Sequence, residues 1–227
     1  MRRIFFVVTF VFNLLTVKSQ TIHQQAYYFR FLAKVKLNEK WALQAETDYR
    51  RFTNPDRMWQ NFNQLRLHYR LNPHWESVAA LTYAVVWQGS LPVPEWRPYQ
   101  SIQYQHLLGH GWSSAYRFQF EERFIHHSSK TELTEGFGFR LRPRVRWLVS
   151  RVINPKWTAR FSEELMYHTD DGFNQSQTWL YIERQLNHGF ILDLGYLKTY
   201  VKRVPKGYID RDNVRLSIVK NFTLKSI

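Results

Sequence analysis

Phe137-Gly138-Phe139-Arg140-Leu141-Arg142-Pro143-Arg144-Val145-Arg146-Trp147 is the stretch that decides the fold. Its odd positions are apolar, while Arg140, Arg142, Arg144 and Arg146 fall on the alternate positions. A period of two is the signature of a strand with two unlike faces. A helix cannot sort these residues, because at 100° per residue the arginines would wrap the whole cylinder.

The same sorting recurs along the chain. Trp41, Leu43, Ala45, Thr47 and Tyr49 alternate with Gln44, Glu46, Asp48 and Arg50. Leu65, Leu67, Tyr69 and Leu71 alternate with Gln64, Arg66, His68 and Arg70, and Tyr116, Phe118 and Phe120 with Arg117, Gln119 and Glu121. Val214, Leu216 and Ile218 oppose Arg215 and Ser217. Trp157 to His168 is less clean: Glu163 falls among the apolar positions, so a phase-shifting bulge is expected there.

The connections repeat too. Asn38-Glu39-Lys40-Trp41, Asn72-Pro73-His74-Trp75 and Asn154-Pro155-Lys156-Trp157 share one design, an Asn-led tight turn, a basic residue or His, then Trp opening the next strand. Gly109-His110-Gly111-Trp112 and Asn187-His188-Gly189-Phe190 are variants. These turns alternate with links read as longer and more polar at 53–57, 89–95, 127–135, 169–174 and 203–209. The result is a chain of hairpins, tight at one end and looser at the other. Strands are expected near 24–37, 41–52, 58–71, 75–88, 96–108, 112–126, 136–152, 157–168, 175–186, 190–202 and 210–224. Most exceed the five or six residues of soluble strands, and about nine to eleven already cross a hydrocarbon layer when tilted.

These patterns predict an all-β, antiparallel up-and-down transmembrane β-barrel of about 10–12 strands. An apolar face of Trp, Tyr, Phe and Leu on so many long strands holds too much volume for the interior of a small barrel, whereas lipid sets no such limit. Trp41, Trp75, Trp112 and Trp157 all fall just inside the tight-turn end, as an aromatic girdle at one membrane interface would. Short turns on the periplasmic side are usual for such barrels, and so is an even strand count. Eleven strands would force the first and last to run the same way and close in parallel; otherwise 21–36 is not a full strand or one more is hidden.

The first residues agree with export. Met1-Arg2-Arg3, an apolar run from Ile4 to Val17 and Lys18-Ser19-Gln20 have the layout of a secretory signal peptide, with cleavage expected after Ser19. Asn13 and Thr16 break a run already shorter than the roughly eighteen residues a spanning helix needs. Residues 20–227 are then one barrel domain in the bacterial outer membrane. There are no cysteines, so stability must come from packing and backbone pairing. Aromatics make up 17% of the chain and the formal charge is +14, falling to +11 once Arg2, Arg3 and Lys18 leave. For an exported chain that excess points to a phosphorylated membrane surface as the anionic partner. Export, and arginines confined to one strand face, argue against nucleic acid.

Glu46-Thr47-Asp48-Tyr49-Arg50-Arg51-Phe52, Pro94-Glu95-Trp96-Arg97-Pro98-Tyr99-Gln100, Arg117 through His126 and Asp210-Arg211-Asp212-Asn213-Val214-Arg215 together resemble the outer-membrane β-barrel proteins that carry the domain of unknown function 2490. The resemblance covers most of the chain after the signal. It implies an outer-membrane barrel and transfers no catalytic residue, because that family carries no established activity.

The face read as inward carries Glu46, Asp48, Arg50, Arg66, Arg70, Arg117, Glu121, Arg123, Arg140, Arg142, Arg144, Arg146, Arg160, Glu164 and Arg184. Two readings stay open. Arginines forked onto carboxylates fill a narrow barrel as a hydrogen-bonded network; the excess of arginine lines a constriction that binds or passes anions. At the outer rim, His126, His127 and His168 with Asp170 and Asp171 are the weak candidates for a hydrolase's base or a metal site, or for a surface that binds a partner. No nucleophile motif, phosphate loop or Cys/His metal spacing appears, so no cofactor is expected. Expected partners are outer-membrane lipid and lipopolysaccharide, and the barrel-assembly machinery during insertion.

Overall fold

The computed structural model describes residues 21–127, 136–169, 172–203 and 207–223. The expected signal peptide and the rim residues Asp170 and Asp171 lie outside these, and so does Leu224. Eleven strands follow one another: β1 (Thr21–Lys36), β2 (Trp41–Thr53), β3 (Asp56–Arg70), β4 (Trp75–Gln88), β5 (Leu91–Gly109), β6 (Trp112–His127), β7 (Gly136–Asn154), β8 (Trp157–His168), β9 (Gly172–Gln185), β10 (Phe190–Arg203) and β11 (Gly207–Thr223). Each pairs antiparallel with its sequence neighbour, and β1 pairs with β11 to close the barrel. That last pair is parallel, from Thr21 opposite Tyr208 to Lys36 opposite Thr223. Alternating direction over an odd number of strands leaves no other closure. Arg30 secures this seam from inside, donating to Ser217 at 3.1 Å on β11 and reaching Asp193 of β10 at 3.1 Å.

The tight turns owe their sameness to one side chain. Asn38 Oδ1 accepts from the backbone N–H of Lys40 and Trp41 at 2.9 and 2.8 Å. Asn72 does the same for His74 and Trp75, and Asn154 for Lys156 and Trp157. This Asx turn caps the reversal and sets the Trp as the first paired residue of the next strand. Where glycine replaces Asn, the backbone itself turns left-handed: His110 and Gly111 have φ of 51° and 78°.

Burial is inverted relative to a water-soluble barrel. Apolar Val145 and Leu180 are 53% and 60% exposed, while Arg142 and Glu164 beside them are 9% and 2% exposed. Leu65, Leu67, Phe118 and Leu194 also stand out from the surface. A surface of this composition is stable against hydrocarbon, and a closed ladder leaves no strand edge unpaired in it.

Four expectations need correction. Residues 53–57 and 89–95 are not long loops: Thr53 pairs with Asp56, and β4 and β5 stay paired up to Gln88 and Leu91. Pro92 and Pro94 lie where β5 runs past the start of its pairing with β6 at Glu95; an unpaired edge tolerates a residue with no N–H. Glu163 is not shifted inward by a bulge. The irregularity lies further on, between Met166 and Tyr167, so Glu163 faces lipid at mid-height with Thr178 Oγ1 donating to it at 2.5 Å. Arg184 also faces outward, directly opposite Trp157. Finally, not every aromatic faces lipid. Tyr28, Phe52, Trp59 and Trp179 turn inward and pack with Ala26 and Leu197 into an internal apolar cluster.

Candidate functional site

The interior is built by the inward residues of all eleven strands, and its charges come in clasps. Glu95 accepts from Arg97 and Arg123, with nitrogens at 2.6 and 2.8 Å. Glu121 is held by Arg142 and by Arg144, the latter at 3.0 Å. Glu164 is held by Arg117 at 2.6 Å and Arg144 at 2.8 Å. Asp193 is held by Arg30 and Arg215, at 3.1 and 3.0 Å. Single pairs join Arg50 to Asp48 at 2.7 Å, Arg66 to Glu46 at 3.0 Å and Arg160 to Glu183 at 2.7 Å. Arg144 is the central link, because one guanidinium spans two carboxylates and makes Arg142–Glu121–Arg144–Glu164–Arg117 a single chain. Planar forks on carboxylates are the strong form of this contact.

Aromatic faces hold the remaining guanidinium surfaces. Arg50 lies 4.4 Å from the Tyr28 ring and 4.3 Å from Phe62, Arg211 lies 3.8 Å from Trp59, and Arg215 lies 4.2 Å from Trp179. Such stacking places a cation against the apolar cluster on the β1–β3 and β9–β11 side at little cost. That side of the lumen is therefore packed, and the charged clasps of β5–β8 stand across from it.

Among the described residues, two cavities lie within the lumen. One, of about 370 Å³, is lined by Trp59, Arg97, Arg123, Arg142, His168 and Arg211 toward the loop end. The other, of about 380 Å³, is lined by Arg30, Arg117, Arg146, Arg160, Tyr181 and Glu183 toward the tight-turn end. Glu46, Asp48, Arg50, Gln64, Arg66, Arg144 and Gln177 line both, which makes them the waist between the two. Arg146 stands just below the waist, opposite Glu164 in the β7–β8 ladder. Its Nε is buried with no protein acceptor, as are those of Arg117, Arg142 and Arg160, but unlike those three it forms no ion pair among the described residues.

The residues read from the sequence as a lumen set are brought together as follows. Glu46, Asp48, Arg50, Arg66, Arg117, Glu121, Arg123, Arg142, Arg144, Arg146, Arg160 and Glu164 all line these two cavities. Arg140 shares the inward face of β7 but is exposed, and Arg70 stands at the tight-turn mouth beside Lys36, Lys40 and Glu76. The girdle residues Trp41, Trp75 and Trp112 are each 39% exposed at the outer surface, and Trp157 is half-buried under Arg184. The rim histidines do not converge. His168 is 5% exposed and turned into the lumen, whereas His126 lies on the outward face of β6, and the His127 side chain lies outside the described residues. Among the described residues no group of three metal-ligating side chains forms.

Several lumen residues were missed. Glu95 and Arg97 alternate with Trp96 and Pro98, but the neighbouring prolines disguise the strand. Arg30 and Asp193 are lone charges within mainly apolar stretches, Tyr27 to Ala33 and Phe190 to Leu197, whose two faces are hard to tell apart. The usable signal in each case was the charge itself, since an isolated charge on a membrane strand belongs inside.

The chain belongs to the family described as protein of unknown function (DUF2490), whose model matches residues 25–209. No curated protein matches it. The barrel is similar to the solved structure of the NanC porin in a rhombohedral crystal form, with a TM-score of 0.53 and 12% identity over 81% of this chain and 88% of that one. The fold is thus a small porin-like β-barrel.

Proposed function

We propose that this chain is an outer-membrane barrel with a largely filled, arginine-rich lumen that carries little current and favours anions weakly. Its tight turns face the periplasm, lipid and lipopolysaccharide surround it, and the barrel-assembly machinery inserts it. The observation that carries the reading is Arg144, which joins Glu121 and Glu164 at the waist shared by both cavities. A cross-linked waist resists passage. The preference for anions rests on Arg146, which lines the lower cavity and forms no ion pair of its own, since Glu164 opposite it is already held by Arg117 and Arg144. A cation in a low-dielectric wall lowers the barrier for negative charge. The likeness to a porin supports a pore-type scaffold with the opening reduced.

The test is single-channel recording of the refolded chain in a planar bilayer. The expected result is a small conductance with a modest anion preference. A large and stable anion-selective current through the unmodified protein would overturn the filled-lumen reading.

A further inference from the structure

Around the tight-turn edge of the outer surface, the aromatic that opens each rising strand is partnered in one of two ways. On β2–β5 the partner is tyrosine: Trp41 sits opposite Tyr69 and Trp75 opposite Tyr104, with ring centroids 4.5 and 5.0 Å apart. On β6–β11 the partner is each time a cation. Trp112 sits opposite Arg151, Trp157 opposite Arg184 and Phe190 opposite Lys220, with charged groups 5.0, 5.3 and 4.1 Å from the ring centroids. The cations recur on every second strand, so about 10 Å separates one from the next at the usual strand spacing.

Lys220 also donates to the His188 carbonyl. Arg151 and Arg184 have only the ring faces: among the described residues neither has a carboxylate partner. The acids nearest this edge turn the other way, Glu183 to Arg160 and Asp193 to Arg30 and Arg215, inside the barrel; Glu163 faces outward but lies further up, at mid-height. A ring face orients a guanidinium without neutralising it. Between the two arginines β8 places Ala159 opposite Arg151, a short side chain that leaves room above Trp157. Phe161 and Ile182 continue the surface toward mid-height as exposed apolar side chains. At girdle height a bilayer presents phosphate, and the guanidinium fork matches phosphate oxygens.

We propose that this arc is a binding site for an anionic phospholipid. The headgroup phosphate sits over Ala159 and Trp157, flanked by Arg151 and Arg184 from the two neighbouring strands, Lys220 extends the attraction along the edge, and the acyl chains lie over Phe161 and Ile182. The site uses no lumen residue, so it stands whether or not the barrel conducts.

Native mass spectrometry of the refolded full chain in detergent tests it, with phosphatidylglycerol and phosphatidylcholine of identical chains offered in turn. Phosphatidylglycerol should be retained and phosphatidylcholine lost. R151Q/R184Q should weaken that retention about fivefold for each arginine removed, while R151K/R184K keeps most of it. K40Q/R70Q, which loses the same charge off the arc, should leave retention unchanged. Equal retention of both lipids overturns the site. So does an equal loss in K40Q/R70Q, which would mean general attraction to a basic protein. Displacement of the lipid by inorganic phosphate at matched concentration overturns it as a lipid site and assigns a free-phosphate site instead. Should R151Q/R184Q fail to fold, judged by heat-modifiable gel mobility, the lipid comparison and the phosphate competition on the unmodified chain still decide.

Discussion

Glu121 and Arg142 lie directly opposite each other in the β6–β7 ladder, and their side chains meet inside the barrel as an ion pair. Arg144, two residues on, reaches the same carboxylate and then Glu164 on β8. The clasp therefore ties three strands together through side chains as well as through backbone.

Glu121→Gln should consequently destabilise the barrel strongly. It leaves buried Arg142 without its carboxylate and Arg144 with one of its two, and breaking one member of a buried pair costs about 3–5 kcal/mol. Urea titration of the barrel refolded into vesicles measures the effect. E121Q/R142Q should recover part of the loss, because the double change removes a stranded charge along with its partner. Equal stability of E121Q and the unmodified chain would mean that the clasp contributes nothing.

Facing makes a second prediction. Val145 and Phe118 stand outward near the middle of β7 and β6, so Val145→Arg and Phe118→Arg should each cost about 2–4 kcal/mol. Leu67 faces outward too but lies close to the tight-turn end of β3, and Leu67→Arg should cost only about 0–1 kcal/mol. The same vesicle titration reads all three. A penalty that ignores height would contradict the placement of the strands in the bilayer.

The strands were legible because a period of two survives single exceptions and because Asn-led turns mark where each begins. What alternation cannot say is which face is inside when both are apolar. On β1, Ala26, Tyr28 and Leu32 point in while Tyr27, Phe29 and Phe31 point out, and between Ala26 and Leu32 no charge but Arg30 separates the two sets. Bulges blur the reading further: the register shift between Arg50 and Arg51 lets Trp59 join the internal cluster although Gln60 next to it lines the lumen. The clasps themselves depend on cross-strand register. Glu121 meets Arg142 because the β6–β7 register sets the two opposite each other, which the composition of either strand does not encode.

Glu163 is where the pattern and the membrane disagree. A carboxylate outward at mid-height, held by Thr178, sits against hydrocarbon between the apolar Phe161 and Leu165. Ionisable groups at that depth are costly, acids less so than bases. Glu163→Leu should then stabilise the barrel, by about 1–2 kcal/mol on that scale, seen as a higher urea midpoint in vesicles. A lower midpoint in E163L would show that the Glu163–Thr178 bond holds β8 to β9 more than the carboxylate costs.

Closure and selectivity should separate onto neighbouring arginines of β7. Arg144 links two carboxylates at the waist, so R142Q/R144Q removes the cross-link and frees Glu121 and much of Glu164 to draw water into the passage. Conductance in a planar bilayer should rise above that of the unmodified chain. The exposed carboxylates should also move the reversal potential toward cations, because the fixed charge at the narrowest point changes sign. Arg146 belongs to no clasp. Arg146→Gln should leave conductance low while reducing whatever anion preference the unmodified chain has. Raising salt should shrink both selectivity shifts, since at about 1 M the screening length falls to roughly 3 Å. The rise in conductance reports removal of a physical link, so it should persist at high salt. A selectivity change in R142Q/R144Q with no gain in conductance would place the barrier elsewhere, in the aromatic cluster around Trp59 and Tyr28.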